Sequence, residues 1–248
     1  MNELINVNHQ DGTLVLTLNR PERKNALSRA LLGELHQALT SEVRDDTSAV
    51  ILHGSGGCFS AGGDLTELNG TIEALAVDDA IEAVTTAIRE APVPVIAAID
   101  GPCMGGAFDV AVTCDVRIAA SNAIFQVPAT RLGLLYSPKS VIRLRKLLGR
   151  DAIMSLLVLG ERYDADAALD AGIVSSVVKS DSCLEAALAI AKWAGDNVRG
   201  AVDATKRLLN AMDSDSYDPE FWENERKKLL SSPERQEAVA KARARVVR

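Results

Sequence analysis

The sequence predicts an α/β fold that continues into a helical C-terminal region. Short apolar runs typical of buried strands alternate with amphipathic segments over residues 4–178. Two of the strand-like runs are followed directly by glycine-rich turns, at residues 54–65 and 101–106. From Ser182 onward the pattern is only helical. Strands alternating with helices favour a core built around a sheet, to which the later helices are added.

The first segments predict a β-hairpin and an amphipathic helix. Residues 4–9 and 13–18 alternate between apolar and polar side chains on either side of Asp-Gly at 11–12. That dipeptide favours the tight turn of a hairpin. Ser28 is a good helix cap, and the leucines that follow it share one face. We expect this helix to end at about Arg44.

The middle of the chain predicts the remaining strands of the core and the helices between them. Apolar runs indicate the strands, and the Ser-Pro pair at 137–138 is typical of a helix start, with Ser137 as the cap and Pro138 at the first helical position. We predict strands at 49–53, 95–99, 116–119, 123–126 and 173–178, and helices at 78–90, from Ser137 onward and at 164–171, where Gly172 ends the last one.

The C-terminal region predicts an association surface. Ser182 and Glu185 have the spacing of a capping box, and helical patterns follow. We place a boundary between a core of residues 1–194 and a helical region of residues 195–248. That region is highly charged yet carries aromatic residues such as Trp222. Helices of this kind pack on a neighbouring surface, so we expect a homo-oligomer.

The stretch around Gly105-Gly106 is the first candidate site. A buried strand precedes it and an apolar helix follows it. Amides at a helix start have no intrahelical partner and lie at the positive end of the helix dipole, where they can bind an oxyanion. The alternative is that the two glycines only ease a sharp turn. The 54–65 stretch is also a glycine-rich turn that follows a strand. Two such turns after two strands can converge on one atom.

Composition and missing motifs exclude several classes of protein. The 248 residues are 47% hydrophobic, enough for an ample core, and they contain no apolar run of 18 residues and no secretory signal, so we expect a cytoplasmic protein. Four scattered cysteines predict buried thiols and no metal site. The net charge of −7 argues against nucleic acid as a partner.

His53 is more consistent with a core or rim residue than with a base. No Walker A, G-x-S-x-G, HExxH or dinucleotide fingerprint occurs.

Six motifs occur in order along nearly the whole chain. They are Arg20-Pro21 with Asn25-Ala26-Leu27, the stretch at 59–65, Asp100-Gly101 with Gly105-Gly106-Ala107, Cys114-Asp115 with 118–120, Phe125 with Pro128 and Leu132-Gly133, and 163–174. In these motifs the chain resembles the crotonase (enoyl-CoA hydratase/isomerase) superfamily. The resemblance implies a spiral of ββα units with a C-terminal helical region. Because this fold hosts many chemistries, it does not by itself identify the reaction.

The resemblance also implies a ligand and a way of binding it. The expected substrate is an acyl-CoA thioester, with coenzyme A as part of the substrate and no prosthetic group. The family's two oxyanion-hole donors map onto the backbone amides of Gly63 and Gly106. The adenine and phosphate end of coenzyme A maps onto Arg23, Lys24 and Ala61, although a solvated loop explains the two cations equally well. Trimers, or hexamers that are dimers of trimers, are the implied assemblies.

Two positions depart from the family's hydratases. Those enzymes resemble one another in two carboxylates that flank a water molecule. Here the first is the shorter Asp109, and the second position is Ala129, which cannot transfer a proton. The helix dipole would lower the pKa of Asp109, whereas its apolar neighbours would raise it. Asp109 is therefore either the proton-transfer residue or a helix-stabilising acid.

Tyr136 suggests a different reaction. Residues 132–136 and 105–109 together look like the methylmalonyl-CoA decarboxylase branch of the superfamily, although the histidine of that branch is Gly63 here. In such a lyase, CO₂ leaves to form an enolate that the two amides stabilise, while a phenol orients the departing carboxylate. The alternative for Tyr136 is an aromatic with its hydroxyl in water.

Three functions stay open on these grounds. The first is a lyase that decarboxylates a malonyl-type CoA thioester, and it is slightly favoured. The second is an enoyl-CoA hydratase or enoyl-CoA isomerase that uses Asp109. The third, of another class, is a non-catalytic acyl-CoA-binding protein, which the missing second carboxylate suggests.

Overall fold

Two sheets form the framework of the molecule. The structure is a computed structural model that describes residues 3–68 and 71–246. Within these ranges the strands are β1 (Ile5–Gln10), β2 (Thr13–Leu18), β3 (Ala49–Gly54), β4 (Val95–Ile99), β5 (Pro102–Met104), β6 (Val116–Ala120), β7 (Ile124–Gln126), β8 (Arg162–Asp164) and β9 (Ser176–Val178). The larger sheet has the order β1-β2-β3-β4-β6-β9, and the smaller sheet has the order β5-β7-β8.

The strand directions bring the two glycine-rich turns together. β1 and β2 form the predicted antiparallel hairpin, with φ of 47° at Asp11 and 74° at Gly12, as a tight hairpin turn requires. The pairs from β2 to β9 in the larger sheet are parallel. Because β3 and β4 are parallel neighbours, with His53 opposite Ala98, both strands end at the same edge of the sheet. The turns that follow them therefore begin side by side.

Helices cover both faces of the larger sheet. They are α1 (Arg29–Ser41), α2 (Leu75–Glu90), α3 (Gly106–Thr113), α4 (Pro138–Ile153, interrupted at Gly149), α5 (Ala165–Asp170), α6 (Cys183–Gly195), α7 (Arg199–Asp213), α8 (Pro219–Leu230) and α9 (Pro233–Val246). One face of the sheet packs on residues of α1, α2 and α3 in the main core. The other face packs on α6 through Ala187, Ala191 and Cys183.

Most predicted elements are confirmed, with shifted ends. Ser28 caps α1 as expected, since its Oγ accepts a hydrogen bond from the Leu31 amide at 3.2 Å, but α1 ends at Ser41 rather than near Arg44. The last strand begins at Ser176 and not at the predicted residue 173. It is shorter because the amide of Ile173 donates to the carbonyl of Ala168 and completes the end of α5.

Two capping predictions are wrong. The side chain of Ser182 makes no capping hydrogen bond, so no capping box forms with Glu185. Ser182 has φ −106° and ψ 0° instead of the extended backbone that this motif needs. Ser137 precedes α4 as predicted, but its side chain makes no capping bond either.

The smaller sheet is not predicted as such. The sequence predicts β7, but it indicates a turn in place of β5 and a helix start in place of β8. Both of these strands have three residues, and neither alternates between apolar and polar side chains strongly enough to signal a strand. β5 lies in the turn that leads to Gly105, so this sheet fixes one side of the candidate site.

The thiols and His53 have the environments that the sequence predicts. All four cysteines are buried and free. His53 is half-buried, and its Nε2 lies 2.8 Å from Thr17 Oγ1. Burial lowers the pKa of His53, which favours its neutral form. These groups belong to the framework of the fold.

The C-terminal region folds into the three helices α7, α8 and α9, as predicted, and residues 247–248 lie outside the described ranges. α6 ends at Gly195, one residue beyond residue 194, the last residue of the proposed core. Lys206 anchors α7 on the core, because its Nζ donates to the carbonyls of Ile88 and Val93 and pairs with Asp115 at 2.7 Å. None of the described helices is both long and apolar enough to cross a membrane.

Candidate active site

The two glycine-rich turns are in direct contact. A Cβ added to Gly62 would lie 2.6 Å from the Met104 carbonyl oxygen and 3.7 Å from Gly105 Cα, so a side chain does not fit between the two backbones. Gly62 also has φ 91°, which favours glycine. Ser60 and Cys103 form a bridge in which the Ser60 amide donates to the Pro102 carbonyl at 3.0 Å. The predicted convergence of the two turns is therefore confirmed.

Where the two turns meet, each has a glycine amide for which the described residues offer no acceptor. On the first turn, the amides of Gly62 and Asp64 donate to Ser60 Oγ and the Leu27 carbonyl, but the Gly63 amide between them donates to no acceptor in the described ranges. On the second turn, Gly106 is the first residue of α3, so its amide has no intrahelical acceptor. Two free N–H groups on adjoining turns are what an oxyanion hole requires.

Apolar side chains cover both of these glycines. A Cβ on Gly63 would lie 2.9 Å from Leu68 Cδ1, and a Cβ on Gly106 would lie 2.5 Å from Ile81 Cδ1. Ile81 belongs to α2, so this helix closes the site from the side of α3. Apolar surroundings keep water from competing for the two amides and strengthen their electrostatic effect on a bound oxygen.

The polar loop before α1 holds the first turn in place. Asn25 is fully buried, and its Nδ2 donates to the carbonyls of Ser55 at 2.9 Å and Cys58 at 2.7 Å. Arg20 pairs with Asp64 at 2.9 Å. The Leu27 amide donates to the Gly62 carbonyl at 2.8 Å. The Arg-Pro and Asn-Ala-Leu motifs therefore support the turn that carries Gly63.

Arg23, Lys24 and Ala61, which the sequence assigns to coenzyme A binding, lie on one surface. The Ala61 amide donates to the Lys24 carbonyl at 2.9 Å, and all three residues are exposed. Neither Arg23 nor Lys24 forms an ion pair with any residue in the described ranges. Their charges are thus available to an anionic group that approaches the first turn.

Asp109 is fully buried and paired with a cation from another helix. Arg143 Nη2 lies 2.9 Å from Asp109 Oδ1 and 2.8 Å from Oδ2, and Arg143 Nη1 lies 2.9 Å from Glu82 Oε2. Burial raises the pKa of the Asp109 carboxyl, and the Arg143 guanidinium opposes that shift. Burial thus outweighs the paired cation, and the pKa of Asp109 moves in the direction that its apolar neighbours predict.

Arg143 and Glu82 are the residues that sequence reasoning missed. They lie on α4 and α2, respectively 34 residues after and 27 residues before Asp109. No local motif links positions so far apart. Asp109 lies one turn of α3 beyond Gly106. Two hydrogen bonds from Nη2 of Arg143 fix the orientation of its carboxylate.

The second carboxylate position holds buried Ala129, so it supplies no proton. Asp78 on α2 is another acid near this cluster. It is half-buried and forms no hydrogen bond or ion pair with a residue that the structure describes. Burial raises its pKa, and the charges of Asp79 and Asp109 raise it further. Asp78 is therefore close enough to Asp109 for the two charges to interact.

The hydroxyl of Tyr136 does not lie free in water. It donates a hydrogen bond to the Gly105 carbonyl at 3.1 Å, while the ring packs against the main core. Burial raises the pKa of Tyr136 well above its usual value, and the charge of Asp109 adds to the shift. The phenol therefore stays protonated and acts as a donor to the second glycine turn.

Comparisons with known proteins agree with this geometry. A sequence model described as enoyl-CoA hydratase/isomerase matches residues 8–245. The chain is similar to the 2,3-dehydroadipyl-CoA hydratase of Escherichia coli, with 34% identity over 84% of this chain and 82% of that protein. It is also 34% identical to the mitochondrial Delta(3,5)-Delta(2,4)-dienoyl-CoA isomerase of Mus musculus, over 79% of this chain and 65% of that one.

A solved structure shows the same fold over almost the whole chain. The enoyl-CoA hydratase/carnithine racemase of Magnetospirillum magneticum superposes with a TM-score of 0.92 and 29% identity, covering 99% of this chain and 94% of that one. The α/β fold of ββα units with added C-terminal helices, which the resemblance implied, is therefore confirmed.

Proposed function

The chain belongs to the enoyl-CoA hydratase/isomerase family, and from this premise we propose that it moves a proton on the acyl chain of an enoyl-CoA thioester. The observation that carries the proposal is a pair of amides, those of Gly63 and Gly106, for which the described residues offer no acceptor, with the buried Asp109 one helical turn after Gly106. Residues three apart on a helix lie on one face, so the Gly106 amide and the Asp109 side chain can contact the same bound group.

The amides act on the thioester oxygen in this proposal. When a proton leaves the acyl chain, negative charge develops on that oxygen, and two N–H donors fixed in advance stabilise it. Leu68 and Ile81 pack against the two glycines and give the site an apolar wall, which suits an acyl chain. Arg23 and Lys24, next to Ala61, provide the positive charge that the phosphates of coenzyme A require.

Asp109 is the base in this proposal. Arg143 keeps the carboxyl ionised and holds its orientation, while burial raises its pKa toward the range in which a base accepts a proton readily. Isomerisation of an enoyl thioester can use one group that removes a proton and returns it at another carbon. Hydration needs a base and an acid around one water, and Ala129 supplies neither. We therefore favour an enoyl-CoA isomerase over a hydratase.

Decarboxylation of a malonyl-type thioester becomes the second candidate. Ala129 favours it, because loss of CO₂ needs no second carboxylate. Two observations favour the proton-transfer reaction instead. The relatives named above are a hydratase and an isomerase. The Tyr136 hydroxyl, which a decarboxylase would direct at a substrate carboxylate, is bonded to the Gly105 carbonyl.

A panel of thioesters in deuterium oxide tests the reaction. We expect a 3-enoyl-CoA to gain the absorbance of a conjugated thioester with little uptake of deuterium, because the buried Asp109 carboxyl returns the proton that it removes before exchanging it with solvent. Mass spectrometry separates the other outcomes: gain of water from crotonyl-CoA identifies a hydratase, and loss of CO₂ from malonyl- or methylmalonyl-CoA identifies a decarboxylase. Calorimetric binding without turnover or exchange at Cα would mean a non-catalytic acyl-CoA-binding protein, and no binding at all would contradict the whole proposal.

We also propose that residues 195–248 mediate assembly into a trimer or hexamer. No residue of α8 is buried in the single chain, and Tyr217 and Phe221 are 51% and 46% exposed. Exposed aromatics of this kind favour contact with another copy. We expect sedimentation equilibrium to report three or six times the chain mass of 26.4 kDa. A species of 26.4 kDa at working concentration would contradict the assembly and leave the proposed chemistry untouched.

A further inference from the structure

We propose that Tyr136 is a positioning residue of the oxyanion hole, acting through the peptide group that joins Gly105 to Gly106. Its hydroxyl holds the carbonyl of that group, and the same group carries the N–H assigned to the substrate oxygen. The inference rests on the proposed function, because it concerns how one of the two donors is oriented.

The covalent geometry makes the connection direct. The carbonyl of Gly105 and the amide of Gly106 belong to one planar peptide unit, so fixing the C=O also fixes the direction of the N–H. Tyr136 Oη donates to this carbonyl at 3.1 Å. A donor on the C=O also polarises the unit, which makes its N–H a stronger donor in turn.

The peptide needs such a support because glycine gives it freedom to rotate. Gly105 has φ 53° and ψ −121°, a conformation that side-chain-bearing residues rarely adopt, and it is followed by a second glycine. Two other hydrogen bonds also hold this segment, since the Phe108 amide donates to the same carbonyl at 3.1 Å and the Gly105 amide donates to the Gln126 carbonyl at 2.9 Å. Loss of the tyrosine hydroxyl should therefore weaken the donor without removing it.

Tyr136 is itself well placed for this role. Its ring packs on the main core, and it stands two residues before α4, the helix that also carries Arg143. One segment of chain thus holds both parts of the proposed machinery: Tyr136 orients the Gly106 donor, and Arg143 orients the Asp109 carboxylate.

The test uses Tyr136→Phe, which keeps the ring and removes only the hydroxyl. We expect kcat to fall about 3- to 10-fold, the effect of one neutral hydrogen bond, with little change in KM. The decisive readout is infrared spectroscopy of a saturated acyl-CoA, butyryl-CoA with ¹³C at the carbonyl, which binds but does not isomerise. Binding to the wild-type protein should lower the carbonyl stretching frequency, and binding to the variant should lower it less.

Tyr163→Phe is the matched control. Tyr163 is also partly buried against the core, but its hydroxyl makes no hydrogen bond to the described part of the chain. This control should leave kcat and the carbonyl frequency unchanged. Equal frequencies in wild type and Tyr136→Phe would overturn the inference while leaving the oxyanion hole in place. No frequency change on binding to the wild type would overturn the oxyanion hole itself and the inference with it.

Discussion

Replacing Gly106 by proline, in a chain that also carries Ile81→Ala, is expected to lower kcat by about 10²- to 10³-fold, the usual cost of losing one oxyanion-hole donor. Proline has no N–H, and Gly106 is the first residue of α3, the one helical position at which proline is well tolerated. The second substitution makes room, because a Cβ at residue 106 would lie 2.5 Å from Ile81 Cδ1.

The matched control is Gly106→Ala in the same Ile81→Ala background. Alanine adds a Cβ as proline does but keeps the amide. Ile81→Ala is expected to cost about 2–5 kcal/mol of stability by itself, since the residue is buried. The Ile81→Ala protein and the two variants that add Gly106→Pro or Gly106→Ala to it are therefore compared by thermal melting and by acyl-CoA binding. If the proline and alanine variants fold alike and turn over substrate at equal rates, the Gly106 amide is not a catalytic donor.

The parts of the fold that the sequence predicts are those set by local chemistry. The Asp11-Gly12 turn, the Ser28 cap and the buried strand before Gly101 each depend on residues a few positions apart, and all three are present. The convergence of the two glycine turns was also predictable. Their strands are parallel neighbours, and parallel strands end at the same edge of a sheet.

The environment of the proposed base could not be read from the sequence. Asp109, Arg143 and Glu82 lie on three helices, and their contact depends on how those helices pack. From the sequence, Asp109 had only apolar neighbours and the helix dipole to set its pKa. The structure adds a guanidinium that contacts both carboxylate oxygens.

The hydrogen bond of the Tyr136 hydroxyl could not be predicted from the sequence for a similar reason. It reaches Gly105 across 31 residues, by way of a short 3₁₀ turn at Thr130–Leu132 and the left-handed Gly133. Irregular segments of this kind have no periodicity from which a direction can be inferred. The sequence left two roles open for this tyrosine, a hydroxyl that faces a substrate carboxylate or one that lies in water, and neither includes the bond to the main chain.

Replacing Asp109 by asparagine is expected to lower kcat about 10²- to 10⁴-fold for isomerisation or hydration, because the general base is lost while the shape of the side chain is kept. The pH dependence has a definite sign. Asp109 must be ionised to accept a proton, so kcat/KM falls as the pH drops through its pKa. Because burial raises that pKa, the loss should begin at a higher pH than for an ordinary aspartate.

Asp109→Asn also breaks a buried ion pair, which can cost about 3–5 kcal/mol of stability and mimic a catalytic defect. The control is the triple variant Asp109→Leu, Arg143→Met, Glu82→Gln, since Arg143 pairs with both acids and replacing a whole buried ion-pair cluster by uncharged groups is often neutral. This protein should melt near the wild-type temperature and still lack proton transfer. A folded triple variant with full turnover would show that Asp109 serves only the structure.

The two candidate reactions predict different losses of rate for Asp109→Asn relative to Tyr136→Phe, so one comparison of rates distinguishes them. If the enzyme abstracts a proton, Asp109→Asn should be far slower than Tyr136→Phe, because the first removes the base and the second only weakens one donor. If it releases CO₂, the order reverses, since decarboxylation needs no base and depends on how the leaving carboxylate is oriented. The ratio of the two rates, measured on the substrate that the wild type converts, therefore assigns the reaction independently of the identified product.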